Sequence, residues 1–328
     1  AMIFAGMTGA AVAEAAAIGT IGLEGMTKRG FDRKFCTAII ASASTIGPVI
    51  PPSIPLVIYG SITGTSVGRL FLGGFLPGFL MGIALMMIVY VVSGRRGYPR
   101  ERRATLRELL DSVLGALSAV FTPVIIIGGM VSGIFTPTEA SVGATVYALI
   151  LTVLIYREVK WKDLPRILWE TLEASVRVLF IISAAGIFGW LLIHQRVPET
   201  VIKGLLALSG NPWIVLLIIN FILLVLGCFM EGISVLLLTI PVFVPVITKL
   251  GIDPVHFGLI MTLNSMIGLL TPPVGMVLYT MSSIGRIPLW DLAHELRWHL
   301  IALMIVLGLI TYVPGFATWL PNLLMGAR

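Results

Sequence analysis

Two short segments of this chain combine proline, glycine and hydroxyl residues within apolar sequence. The first runs from Ser44 to Pro55 (STIGPVIPPSIP) and the second from Asn264 to Gly275 (NSMIGLLTPPVG). Proline removes a backbone donor and interrupts a helix, so each segment must leave carbonyl oxygens without their usual partners. Free carbonyls beside hydroxyl and amide oxygens form a weak-field site that suits Na⁺, whereas the N-terminus of a half-helix favours an anion. The alternative is a structural kink whose carbonyls bond to neighbouring helices or to water.

The two segments belong to a duplicated element. Residues 6–64 align with residues 227–285 without a gap, and thirteen of the 59 positions are identical, including both Pro-Pro pairs. Paired interruptions in two halves of a membrane protein are typical of a transporter's binding site. The duplication therefore favours a binding site over a simple kink.

Two apolar hairpins, residues 1–27 and 212–248, are predicted to turn at small or polar residues. Thr8 and Gly9 mark the first tip, and Glu231 marks the second. An ionisable residue at mid-membrane depth is costly and therefore indicates a functional role. The alternative for Glu231 is a tip carboxylate that reaches water or caps a helix.

Composition places the chain in a membrane. Of its 328 residues, 57% are hydrophobic and 12% are charged, whereas soluble domains carry about 25% charged residues. The net charge of +6 comes from basic clusters in short loops, at residues 28–34, 95–107 and 157–166. The positive-inside rule assigns these loops to the cytoplasm, so no nucleic-acid partner is expected. Cys36 and Cys228 are isolated in apolar sequence and are predicted to be packing residues.

Apolar runs of about 20 residues predict full membrane spans. They lie near residues 70–93, 114–135, 139–156, 174–193 and 298–320. The segments 35–64 and 255–284 are predicted to be single spans broken at Pro-Pro. Five crossings separate loop 28–34 from its repeat partner 249–255, and this odd number predicts that the two repeats are inverted.

Local patterns predict further elements. The polar stretches 98–111 and 158–173 are expected to be interfacial helices or, alternatively, ordinary loops. Thr136, Pro137 and Glu139 form a capping box that opens a helix, with a role in transport coupling as the alternative.

Several chemistries lack their minimal motifs. The sequence has no Gly-Lys dipeptide and therefore no Walker A loop, and the zinc-protease pattern H-E-x-x-H is missing as well. The chain is thus not expected to be an enzyme. Any energy for transport must come from an ion gradient or from a partner.

Four landmarks carry a resemblance to a known family. They are FAGMTGA at residues 4–10 with AEA at 13–15, IPPS at 50–53, GIFTPTEA at 133–140 and TPPVG at 271–275. Together they resemble the large membrane subunit of the tripartite ATP-independent periplasmic (TRAP) transporters, of the C4-dicarboxylate and sialic acid kind. The similarity covers essentially the whole chain. Because the family opens with further transmembrane helices, we expect the chain to be truncated at its N-terminus.

The resemblance implies an all-α integral protein of the bacterial inner membrane. The expected fold is an inverted-repeat, elevator-type transporter with two re-entrant helical hairpins and two broken helices. Residues 1–64 would form the first transport-domain repeat, and 65–211 the scaffold and connecting helices. Residues 212–285 would form the second, inverted repeat, and 286–328 an interfacial helix and the final transmembrane helix.

The resemblance also implies Na⁺-coupled uptake of an organic anion, with Na⁺ as the coupling ion and no other cofactor. Two protein partners are implied, a periplasmic substrate-binding protein and a small four-helix membrane subunit. The alternatives are a binding-protein-independent anion exchanger and, from a different class, an intramembrane enzyme or scaffold component.

The resemblance carries the family's Na⁺ and substrate site onto matching positions. In the first half these are Thr8, Gly9, Ser44, Pro51, Pro52 and Ser53, and in the second half Glu231, Asn264, Ser265, Thr271, Pro272, Pro273 and Gly275. Na⁺ is expected on backbone carbonyls and hydroxyls around Ser44, Pro51, Ser265 and Thr271. Many members have serine after the hairpin glycine, where this chain has Ala10, so one hydroxyl is missing from that position.

Overall fold

The computed structural model describes residues 9–99 and 105–326, which form helices and connecting segments without a β-strand. The helices are α1 (Ala11–Lys28), α2 (Arg33–Ser44), α3 (Ile54–Thr63), α4 (Val67–Arg96), α5 (Leu106–Val131), α6 (Pro137–Leu149), α7 (Leu164–His194), α8 (Val197–Leu208), α9 (Pro212–Phe229), α10 (Gly232–Lys249), α11 (Pro254–Gly268), α12 (Met276–Gly285), α13 (Leu289–Tyr312) and α14 (Gly315–Met325). A π-helical turn, Ile150–Ile155, continues α6, and a 3₁₀ turn, Trp161–Asp163, leads into α7.

Seven helical stretches within the described residues are long and apolar enough to cross a membrane. They are α4, α5, α6 with its π-helical continuation, α7 with its 3₁₀ turn, α9, α10 and α13. The prediction of an all-helical integral membrane protein is thereby confirmed.

The chain divides into two compact units. One contains residues 1–100 and 191–328, and the other contains residues 101–190. The first unit holds both broken elements and also includes residues 65–100 and 191–211, which the sequence assigns to the scaffold. The division into transport domain and scaffold stays a prediction.

Both predicted breaks are present in the first unit. Helix α2 ends at Ser44 and α3 begins at Ile54, while α11 ends at Gly268 and α12 begins at Met276. Proline cannot donate a backbone hydrogen bond, so the helical ladder stops before each Pro-Pro pair and resumes after it. Both Pro-Pro peptide bonds are cis.

Helices α1–α3 and α10–α12 are equivalent under the repeat, α4 and α13 follow directly after the two copies, and the packing of the two sets is reciprocal. Helix α1 packs on α12 just as α10 packs on α3, and α4 packs on its own counterpart, α13. Arg96, at the end of α4, pairs with Glu295 near the start of α13, so these counterparts are antiparallel. The starts of α2 and α11 lie at opposite ends of α4, since Phe35 lies beside Arg96 and Val255 lies beside Gly73. These contacts fit the predicted inversion of the two repeats, which stays a prediction for the elements as a whole.

The second predicted hairpin, residues 212–248, forms the two helices α9 and α10, separated by Met230 and Glu231. In the first hairpin the structure describes α1, and residues 1–8 lie outside the described chain. The final span covers Leu289–Tyr312 rather than residues 298–320, and α14 follows as a separate helix. Pro314 explains the difference, because the residue before a proline disfavours the helical conformation.

The interfacial helices predicted at 98–111 and 158–173 are not separate from the helices that follow them in the described residues, and residues 100–104 of the first stretch lie outside those residues. Helix α5 runs unbroken from Leu106, and α7 runs unbroken from Leu164. Hydropathy marks only the lipid-facing part of a helix, whereas the helix continues through its polar turns until a residue breaks it.

The capping box is confirmed. The Thr136 hydroxyl accepts a hydrogen bond from the Glu139 N–H at 3.3 Å, and the Glu139 carboxylate accepts one from the Thr136 N–H at 2.8 Å. Pro137 occupies the start of the helix, where its missing donor costs nothing.

Candidate functional site

The first break leaves backbone carbonyls without hydrogen-bond donors. Ser53 stabilises the turn, because its hydroxyl donates to the Pro48 carbonyl and accepts from the Leu56 N–H to cap α3. The carbonyl oxygens that receive no hydrogen bond from the described residues include those of Gly47, Ile50, Pro51 and Pro52. Buried carbonyl oxygens without donors can serve as ligands for a cation.

The second break has the same character. The Cys228 carbonyl, at the end of α9, accepts hydrogen bonds from the N–H groups of Val274 and Gly275 at 3.1 and 3.2 Å. This pair of bonds joins the tip of the second hairpin to the break. The carbonyl oxygens without a donor among the described residues include those of Leu270, Thr271, Pro272 and Pro273.

Three predicted hydroxyls have their lone pairs available. Ser44, Ser265 and Thr271 each donate to a backbone carbonyl three or four residues earlier, at 2.8, 3.0 and 2.8 Å. A hydroxyl has one proton to donate and two acceptor lone pairs. Because the proton is already used within the helix, each oxygen can still face a cation.

Two glycines allow the backbone to close on the breaks. Gly9 has a φ of +61°, and a Cβ there would lie 2.8 Å from the Pro52 carbonyl oxygen. Gly275 has a φ of +51°, and its Cβ would lie 3.0 Å from the carbonyl oxygens of Leu269 and Thr271. The structure thus brings the predicted residues Gly9 and Pro52 together, and likewise Gly275 and Thr271. Thr8 lies outside the described residues.

The half-helices that follow the breaks, α3 and α12, begin directly after the donor-free carbonyls. The N–H groups of Ile54, at the start of α3, and Met276, at the start of α12, have no acceptor within residues 9–99 and 105–326. Free N–H groups at a helix N-terminus attract anions. Neither break segment contains a charged side chain, so an anion here would be held by backbone donors.

Glu231 caps α10. Its carboxylate accepts hydrogen bonds from the N–H groups of Ile233 and Ser234, at 2.8 and 3.2 Å. This geometry matches the structural alternative that the sequence leaves open. A ligand-binding role for Glu231 stays a prediction.

Asn264 belongs to a buried amide chain that joins three helices. Its side-chain N–H group donates to the Asn220 carbonyl oxygen at 2.5 Å, and the Asn220 amide donates to the Thr311 hydroxyl at 2.9 Å. The Asn264 side-chain oxygen is buried and has no partner among the described residues. The repeat does not predict Asn220 or Thr311. The available signal is a lone amide within the apolar run of α9.

Glu14 is a second polar group that the repeat does not predict, since its counterpart, Val235, is apolar. The Glu14 side chain on α1 is fully buried, and neither carboxylate oxygen has a hydrogen-bond partner in the described part of the chain. That part also contains no cluster of three or more His, Cys, Asp or Glu residues that could hold a metal.

Paired interruptions in two halves of a helical membrane protein are typical of secondary transporters. The family model described as "Tripartite ATP-independent periplasmic transporter, DctM component" matches residues 1–316. The chain belongs to this family.

Three relatives illustrate the similarity. The chain is 41% identical to the sialic acid TRAP transporter large permease protein SiaM of Vibrio cholerae, over 99% of this chain and 76% of that protein. It is 39% identical to the C4-dicarboxylate TRAP transporter large permease protein DctM of Pseudomonas aeruginosa, over 98% of this chain and 75% of that protein. It is 40% identical to the isethionate TRAP transporter permease protein DctMQ of Oleidesulfovibrio alaskensis, over 96% of this chain and 50% of that protein.

The family and the helices agree on location. The chain is a multi-pass protein of the bacterial inner membrane, and the resemblance seen in its sequence landmarks is confirmed.

Proposed function

We propose that this chain is the membrane carrier of a Na⁺-coupled uptake system for an organic anion. One observation carries the proposal: within the described residues, both breaks combine carbonyl oxygens that lack donors with N–H groups at half-helix N-termini that lack acceptors. The carbonyls attract a cation and the N–H groups attract an anion, so one site favours binding of the two together.

The names of the relatives support an organic anion as substrate. They refer to sialic acid, C4-dicarboxylates and isethionate. These compounds share an acidic group that is ionised at neutral pH. Backbone N–H donors such as those of Ile54 and Met276 can bind an acidic group without selecting the rest of the molecule.

In the proposed mechanism, Na⁺ binds among the oxygens around Ser44, Pro51, Ser265 and Thr271. Bound Na⁺ neutralises the carbonyl dipoles and thereby favours the arrival of the anion. A mobile transport domain, built from the broken helices and two re-entrant hairpins, then carries both past a static scaffold in an elevator movement. The family's architecture supports this sequence of steps.

Two partners complete the proposal. A periplasmic substrate-binding protein delivers the anion, and a small four-helix membrane subunit assembles with the carrier. Both follow from the tripartite character of the family. Selection among organic acids would then reside largely in the binding protein, since no charged side chain lies within either break segment.

Uptake by the complete transporter in proteoliposomes tests the proposal. A panel of labelled carboxylates and sulfonates is offered with an imposed Na⁺ gradient, with and without the binding protein. We expect uptake that requires both the Na⁺ gradient and the binding protein.

Variants at the site sharpen the test. Thr271→Val should raise the Na⁺ concentration for half-maximal uptake, because it removes a candidate ligand oxygen. Thr262→Val is the matched control, since Thr262 makes the same backbone hydrogen bond in α11 at 2.9 Å and is fully buried. Uptake without the binding protein would favour an exchanger, and uptake independent of Na⁺ would contradict the cation site.

A further inference from the structure

A cavity lies away from the breaks, where the end of α4 meets the first turns of α13. Its volume is about 150 Å³, and three arginines, Arg95, Arg96 and Arg297, contribute to its wall. No step of the proposed transport mechanism uses it.

The arginines give the cavity an excess of positive charge. Arg96 is neutralised by Glu295 at 2.7 Å and lies over the Phe35 ring, 5.3 Å from its centroid. Arg95 and Arg297 have no carboxylate partner among the described residues. Arg297 is instead oriented by His294, which lies 2.8 Å away. Two guanidinium groups are therefore available to a ligand.

His299 supplies a donor that has no other use. Its side chain lines the cavity and is 1% exposed, and neither ring nitrogen has a hydrogen-bond partner among the described residues. A buried N–H without an acceptor is unfavourable, and nearly all such groups in proteins are paired. An oxygen of a bound ligand would pair this donor.

The surroundings locate the cavity at the membrane surface. Trp290 and Trp298 on α13 are 70% and 49% exposed, and exposed tryptophans mark the level of lipid headgroups. The basic cluster at residues 95–107 assigns this end of α4 to the cytoplasm. Phosphates of anionic lipids are concentrated at this level, and basic pockets between membrane helices recognise them.

We propose that this cavity binds a phosphate group, held by Arg95, Arg297 and His299. A guanidinium group forms paired hydrogen bonds with two phosphate oxygens, and its charge persists at any physiological pH. The His299 imidazole donates to a further oxygen from the wall of the cavity. The same chemistry could come from an anionic phospholipid headgroup or from free inorganic phosphate.

Native mass spectrometry of the purified full chain distinguishes these sources. The protein is delipidated and reconstituted in nanodiscs of phosphatidylcholine, with or without phosphatidylglycerol, and inorganic phosphate is titrated separately. Arg95→Gln and Arg297→Gln should each weaken binding about tenfold, because each removes a charged hydrogen-bond donor. Arg107→Gln is the control, since Arg107 is also exposed at a cytoplasmic helix end but does not line the cavity.

A second readout follows His299 directly. In protein labelled with ¹⁵N-histidine, addition of phosphatidylglycerol or phosphate should shift one of the four imidazole signals. His299→Gln identifies that signal by its loss.

If the unaltered chain retains phosphatidylglycerol and the Arg95→Gln and Arg297→Gln variants retain less, the phosphate group comes from a lipid headgroup. Saturable binding of inorganic phosphate with no lipid preference would support the same cavity with a soluble source. Equal binding by all three arginine variants and the unaltered chain, with no shift of the His299 signal, would overturn the proposal.

Discussion

Replacing Gly9 with alanine tests whether the first hairpin tip and the Pro52 carbonyl form one site. The added Cβ would lie 2.8 Å from the Pro52 oxygen, whereas ordinary contact begins at 3.4 Å. The tip and the carbonyl must therefore separate by about 0.6 Å. Because the Pro52 oxygen has no donor among the described residues, a cation ligand is the group that this displacement would disturb.

The expected strain has two parts. A positive φ costs a non-glycine residue roughly 1–2 kcal/mol, and a methyl group forced into a packed region costs about 1–3 kcal/mol. If only about 1.4 kcal/mol of this strain appears as weaker binding, the Na⁺ concentration for half-maximal uptake rises about tenfold. The assay is Na⁺-dependent uptake in proteoliposomes, together with the Na⁺-induced shift in melting temperature in detergent.

Gly64→Ala is the matched control. Gly64 has a φ of +70°, but no heavy atom of the described chain lies within 4 Å of its added Cβ. The Gly64→Ala variant should lose only the roughly 1–2 kcal/mol of stability that a positive φ costs a non-glycine residue. Its Na⁺ dependence should be unchanged. Equal Na⁺ dependence in the two variants would remove the Pro52 carbonyl from the site and refute the reasoning.

Three further perturbations have defined outcomes. Ser44→Ala should raise the half-saturating Na⁺ concentration in uptake assays. Ser42→Ala is the control and should not raise it, although both serines are buried and make similar backbone hydrogen bonds. Equal effects of the two substitutions would exclude the Ser44 hydroxyl as a Na⁺ ligand. Glu231→Gln keeps the capping oxygen and should leave uptake and melting temperature near normal. Glu231→Ala removes the cap and should lower the free energy of unfolding by about 1 kcal/mol. Abolished uptake in the Gln variant would instead show that transport needs the carboxylate charge. Asn220→Ala removes two interhelical hydrogen bonds, worth about 0.6 kcal/mol each. In a double-mutant cycle with Asn264→Ala, the fall in melting temperature of the double variant should differ from the sum of the two single falls.

Features that depend on neighbouring residues were predictable from the sequence. Pro48 follows the last residue of α2 by four positions, and Pro272 does the same for α11, so each removes the next helical hydrogen bond. Thr136 caps α6 through a residue only three positions away. The repeat added the direction of the second half, since an odd number of crossings must invert it. These inferences require no knowledge of tertiary contacts.

Features that depend on distant residues were not predictable. Asn220 and Thr311 are 91 positions apart and meet only because α9 and α13 both approach α11. The length of α7 was missed for another reason: no glycine or proline lies between Arg166 and Ala185, so nothing ends the helix where its hydropathy falls. For the candidate site, the sequence identified the residue types. Which carbonyls lack donors could be seen only from the backbone geometry.

The Cys228 carbonyl acts as a latch on the second hairpin. Lifting the tip from the break would sacrifice the hydrogen bonds from both Val274 and Gly275. At about 0.6 kcal/mol for each bond, the unlatched form would be roughly eightfold less populated than the latched one. In the proposed elevator movement, the second hairpin and its broken helix would therefore move together. At the first break no comparable pair of hydrogen bonds joins Gly9 to Pro52 among the described residues, so the contact there is steric and the proposed movement could open the site on this side at lower cost.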